Sequence, residues 1–203
     1  VGTNSTTLTI AEIGTLTAIK YFRAIVSNGV CPVATSGTVI VTVDPNSAVG
    51  GVSANQIICS GSSLSSNITI SSATGTIQWQ RADDAGFTTG LITVGTNSTT
   101  LTTAQVGSLT STQYFRSIVT SGVCSAVISG TVTVTVDSNP TVGSVSANQT
   151  ICSGGSPSSN ITIASATGII QWQRADDAGF TSNVIPVGTN STTLTIAEIG
   201  TLT

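Results

Sequence analysis

VGTNSTTLT occupies residues 1–9, returns unchanged at 94–102 and appears again at 187–195. Both steps are 93 residues, a period that means tandem domains rather than a short solenoid repeat. The same register carries Tyr21 to Tyr114, Cys31 to Cys124, Cys59 to Cys152, Trp79 to Trp172 and Asp83-Asp84 to Asp176-Asp177 without a gap. Residues 1–17 and 187–203 are identical, so the expected organisation is a window on a longer array. Residues 1–44 form the C-terminal part of one repeat, 45–137 a complete repeat and 138–203 the N-terminal part of a third.

Turn-rich linkers, DPNSAVGG at 44–51 and DSNPTVG at 137–143, bound the complete repeat. Between them lie short stretches with period-2 alternation or β-branched enrichment: VSANQII (52–58), NITISS (67–72), TIQWQR (76–81), LITV (91–94), STTLTT (98–103), QYFRSIVT (113–120) and ISGTVTVTV (128–136). No helical period competes with them. About seven short strands separated by Gly, Ser, Asn and Asp turns point to an all-β fold, an antiparallel sandwich of the immunoglobulin-like type. In that reading the stretches are strands A, B, C, C′, E, F and G. Trp79 in C and Tyr114 at the start of F are the expected core aromatics, Tyr114 as a tyrosine corner. Trp172 and Tyr21 hold the same places in the flanking repeats. Parity poses a problem, because an inward Tyr114 puts Arg116 on the same face.

Composition narrows the function. Charged residues are 6% of the chain, the net charge is −3, and Lys20, Arg23, Arg81, Arg116 and Arg174 are scattered, so a nucleic-acid footprint is absent. With no histidine, the Ser-His-Asp, Cys-His and His-zinc arrangements are excluded. Asp83 and Asp84 are adjacent, but neighbours on an extended chain point to opposite faces and make a poor acid/base dyad. The expectation is a protein that is not an enzyme. No apolar run approaches the ~20 residues of a membrane span.

Four cysteines allow three pairings, two of which respect the repeat: Cys31–Cys59 with Cys124–Cys152, or Cys59–Cys124 within one domain. The second is preferred, since closing so long a loop stabilises by about 4 kcal/mol in the chain-entropy model. It leaves Cys31 and Cys152 to bond outside residues 1–203, and a disulfide in each domain implies an oxidising, extracytoplasmic setting.

Val145–Gln173, VSANQTICSGGSPSSNITIASATGIIQWQ, together with QYFRSIVTSGVC (113–124) and SGTVTVTVD (129–137), resembles the immunoglobulin-like repeats of very large surface adhesins of gliding Bacteroidetes. The resemblance covers essentially the whole chain. It implies export by the type IX secretion route, display on the cell surface, and a long fibre whose distal parts touch a substratum or polysaccharide.

Among candidate sites, Asp83 and Asp84 at the turn after strand C are expected at the same pole as Asp137 and Asn139. A hard cation such as calcium would find carboxylate and amide oxygens there. The plainer reading of RADDAGFT is a hairpin closed by its own Asp and Gly. Asn-x-Ser/Thr sequons stand at Asn4, Asn67, Asn97, Asn148, Asn160 and Asn190, as chance produces often in a chain rich in Ser and Thr. The threonine ladders TVTVTVD and STTLTT read as the outward faces of half-buried strands. The reading is a non-catalytic stalk of a repetitive surface adhesin, whose first partners are neighbouring repeats of the same chain and whose copies sum weak contacts. The rivals are a spacer or carbohydrate-binding module of a secreted enzyme, and a subunit polymerising head to tail by strand complementation.

Overall fold

The structure is a computed structural model describing Gly2 and residues 4–200. The chain divides into two compact units, residues up to Ile58 with Ser63–Thr135, and Cys59–Ser62 with Val136 onward. It is all-β, a set of small antiparallel sheets arranged as sandwich layers.

In the first repeat segment, the single turn α1 (Ile10–Ile13) precedes β1 (Lys20–Phe22), β2 (Ile25–Val26), β3 (Ala34–Thr35) and β4 (Val39–Val41). β1 pairs with β4 and β2 with β3, both antiparallel. Thr9 caps α1 through a reciprocal box with Glu12, and Gly14 ends it at φ 70°.

The complete repeat holds β5 (Ala48–Val49), β6 (Gln56–Cys59), β7 (Ser62–Ser63), β8 (Ile68–Thr69), β9 (Ala73–Thr74), β10 (Thr76–Ala82), β11 (Ile92–Val94), β12 (Thr100–Leu101), α2 (Thr103–Val106), β13 (Ser108–Leu109), β14 (Gln113–Thr120), β15 (Val127–Ile128) and β16 (Val132–Asp137). One layer is the sheet β11-β10-β14-β16-β6, with β15 also on β14; the other is built from the pairs β5-β9, β8-β12 and β7-β13. In strand letters these are C′-C-F-G-A′ against A-B-E, the immunoglobulin-like arrangement. Asn55 Oδ1 accepts from Thr133 N and the Asp137 carbonyl accepts from Ser60 N, so β6 advances in the same direction as β16.

In the third segment, β17 (Thr141–Val142), β18 (Ile161–Thr162), β19 (Ala166–Thr167), β20 (Trp172–Arg174), β21 (Ile185–Val187), β22 (Thr193–Leu194) and α3 (Ile196–Ile199) follow in order. β17 pairs with β19, β18 with β22 and β20 with β21, repeating the pairings of the complete unit.

The core of the complete repeat lies between its layers: Trp79, Phe115, Val119, Val132 and Val134 from the larger sheet meet Ile68, Ile70 and Leu101 from the other. Along β14 the inward set is Gln113, Phe115, Ser117 and Val119, while Tyr114, Arg116 and Ile118 are half-buried on the other face. Phe115, not Tyr114, therefore fills the core, and Tyr114 stands outside the inward place expected of a tyrosine corner. The parity problem resolves with Tyr114 and Arg116 both outward, where the Arg116 guanidinium stacks 4.0 Å from the Phe87 ring and its Nε donates to Gln80 Oε1 at 2.9 Å. Trp172 is only half-buried and Tyr21 is 63% exposed. Trp79 faces Ser117 across β14, and residues 138–203 contain no counterpart of that strand. Truncating Trp79 to Ala is expected to cost about 3–5 kcal/mol, the range for a large buried aromatic, whereas Tyr114→Ala costs under about 1 kcal/mol; urea unfolding of the two variants measures the difference.

Candidate functional site

The acidic turn is self-contained. Asp84 Oδ1 accepts from Thr89 N at 2.6 Å, Thr89 Oγ1 at 2.7 Å and Thr88 N at 2.9 Å, and Oδ2 accepts from Gly86 N and Thr88 Oγ1. These bonds, the Thr89 amide foremost, hold the Asp84 carboxyl well below the usual carboxylate range. Asp177, in the same place one repeat on, is lowered likewise, chiefly by the Ser182 amide. Asp83 accepts instead from Gln113 Nε2 at 2.9 Å. At the C-terminal end of β16, the Asp137 carbonyl accepts from Ser60 N at 2.8 Å and Asn139 Nδ2 donates to the Ser60 carbonyl at 3.1 Å. The expected cluster of Asp83, Asp84, Asp137 and Asn139 is thus replaced by separate local arrangements. Among the described residues no three His, Cys, Asp or Glu side chains gather as a group that could hold a metal. The bend that Asp84 closes carries Phe87 at φ 56°, and Phe180 repeats it at φ 51°, a conformation bulky residues adopt only when their surroundings impose it.

All four cysteines are free, so the Cys59–Cys124 disulfide expected from spacing is not formed. Register explains why. Phe115 faces Val132 and Gln113 faces Val134, so Asp137 lies beyond the start of β14, whereas Cys124 follows its end. The 8 residues of β14 span about 25 Å, and a disulfide needs Cα atoms within about 7 Å. Cys59 closes β6 next to Ser60, which is bonded to Asp137.

A further polar contact belongs to a residue that strand patterning does not single out. Asp44, the last residue of the first repeat segment, sends its carboxylate into the turn after β14, where Oδ2 accepts from Val123 N at 3.2 Å. Its carbonyl lies 3.7 Å from Cys124 Sγ, which donates to it, and Ser47 Oγ accepts from the buried Ser121 N at 2.9 Å. Gly122 has φ 49°, and a Cβ there would collide with the Asp44 carboxylate. The equivalent Gly29 has φ 55° and nothing within 4 Å of such a Cβ. The clasp thus joins the end of one repeat to the turn between the last two strands of the next, and its visible signal is the pairing of a linker Asp with the sequence SGVC. At the following linker Pro140 stands where Ser47 does and Ser138 where Pro45 does.

Two outcomes follow. Gly29→Ala carries only the left-handed penalty of about 1–2 kcal/mol, whereas Gly122→Ala also expels the Asp44 carboxylate. Hydrogen exchange at the Val123 amide should therefore rise roughly tenfold or more in Gly122→Ala and stay unchanged in Gly29→Ala. The depressed folded-state Asp84 carboxyl contributes stability that is present above the ordinary carboxylate value of about 4 and is lost as pH falls below it. Melting temperature should therefore drop on acidification below about pH 4, and Asp84→Asn should flatten that drop while lowering the melting temperature at pH 7.

No curated protein matches the chain. A family model described as Domain of unknown function (DUF8696) matches residues 1–45, 48–138 and 141–203. With nearly the whole sequence covered by three successive matches to one model, the chain belongs to the DUF8696 family.

Proposed function

We propose that the chain is a segment of a non-catalytic extracellular stalk, in which tandem sandwiches give reach and present many copies of a weakly adhesive surface. The observation that carries this reading is the Asp44 clasp. A linker residue that inserts its carboxylate into the next repeat, against a glycine with no room for a side chain, couples successive domains more closely than a free tether does. The 93-residue period supports it, as does a surface wetted by Ser and Thr with 6% charged residues. Such a surface depends little on salt and pH. The resemblance to gliding-bacterium adhesin repeats supplies the cell-surface setting and the partner class, polysaccharide or another substratum.

Small-angle scattering on chains of one, two and four complete repeats tests the architectural half. A stalk requires a maximum dimension that grows nearly in proportion to repeat number. A dimension growing only as a compact globule's does, close to the cube root of length, would overturn the reading. Beads coated with the four-repeat chain should adhere to polysaccharide films more firmly than beads carrying equal mass of single repeats.

A further inference from the structure

Asp44 and Asp137 occupy the same place in the 93-residue repeat, and each shows a different half of one junction. At Asp44 the carbonyl oxygen receives the thiol of Cys124, from the turn between the last two strands of the following repeat, at 3.7 Å. At Asp137 the carbonyl oxygen receives the amide of Ser60, directly after Cys59 of the same repeat, at 2.8 Å. A carbonyl has two lone pairs, so both approaches fit one peptide group. Superposing the two halves through the period brings a cysteine from each of two consecutive repeats to a single carbonyl.

We infer that the cysteines of this array bond between consecutive repeats: the cysteine in the place of Cys59 pairs with the one in the place of Cys124 in the repeat that follows. The inference rests on the tandem-array reading above. It accounts for the four free thiols, because within residues 1–203 no junction contains both members. In such an array the partner of Cys59 would lie 93 residues beyond Cys124, and the partner of Cys124 would lie 93 residues before Cys59. Cys59 is exposed and Cys124 half-buried, so exchange has access to both. The oxidant is a small-molecule disulfide such as oxidised glutathione. One protein thiolate attacks it and releases a glutathione thiol; the second attacks the mixed disulfide and releases another. The two electrons and two protons of the protein thiols end on two glutathione molecules. Each bond would staple the Asp clasp covalently, so that a pulled array keeps its joints after individual hydrogen bonds open.

Two extended chains test this, each completing one junction. In the first, residues 1–203 are followed by a copy of residues 111–137; in the second, they are preceded by a copy of residues 45–93. Both are oxidised with a glutathione couple, alkylated and digested without reduction. The expected peptide maps link Cys59 to the appended cysteine in the first chain and Cys124 to the appended cysteine in the second. Cys59→Ser and Cys124→Ser, respectively, abolish the links. A map in which these cysteines are alkylated, or bonded to any other cysteine, overturns the inference. One extended chain that melts cooperatively suffices for the reading. Failure of both to melt cooperatively also overturns it, because the appended strands then do not complete the repeats that the junction requires. Extended scattering dimensions without the cross-link would sink this pairing and leave the stalk standing; compact dimensions would sink the stalk itself.

Discussion

The Trp79 indole N–H donates to the Ser98 carbonyl at 2.8 Å, and most of the complete repeat is arranged around that bond. A tryptophan can be fully buried only where its N–H finds an acceptor, and the acceptor comes from the segment that repeats three times. Asn97 adds a second tie by accepting from Ile77 N at 2.8 Å. Gly95, at φ 69°, lies so close that a Cβ would meet Leu101 at 2.6 Å. Thr102 then caps α2 through a reciprocal box with Gln105. Within VGTNSTTL, then, Gly allows the close approach, Asn and Ser hold strand C, and Leu fills the core. The third segment repeats the arrangement, with Trp172 donating to Ser191 and Ile170 to Asn190.

Strand positions were legible because half-buried strands alternate, and TIQWQR and VTVTV do so plainly. Face assignment within QYFRSIVT was harder, since it has aromatics at adjacent positions and either parity buries one of them. The charge of Arg116 was the better guide, because burying an unpaired guanidinium costs more than exposing a tyrosine edge. The short helices α1, α2 and α3 escaped a search for helical period, as one turn has none. Their signal is local, a threonine followed three residues later by Glu or Gln and then a glycine stop. Cysteine spacing misled because distance along the chain says nothing about which end of a strand a residue leaves from. The Asp44 clasp was hidden for the same reason: its partners lie about 80 residues away and are mostly backbone amides, which every sequence has.

The few charges are used sparingly and mostly as hydrogen-bond acceptors. Asp84 and Asp177 close turns, and Glu12 and Glu198 cap helices by bonding the threonine that caps them in return. The Glu198 carboxyl is held below its ordinary range mainly by the Thr195 amide. The carboxylates thus serve to fix backbone amides at turns and helix starts.

Between the two linkers the proline changes place, Pro45 and Ser47 of the first standing where Ser138 and Pro140 stand in the second. Ser47 supplies a second tie beside the Asp44 clasp, an acceptor that proline in the same place does not carry, while each linker keeps one proline that restricts its backbone. A chain of rigid bodies bends where its joints are softest, so its overall stiffness follows the weakest linkers and not the average domain. Substitutions confined to one or two linker positions can therefore set where a chain of tandem domains flexes, whatever the sandwiches on either side.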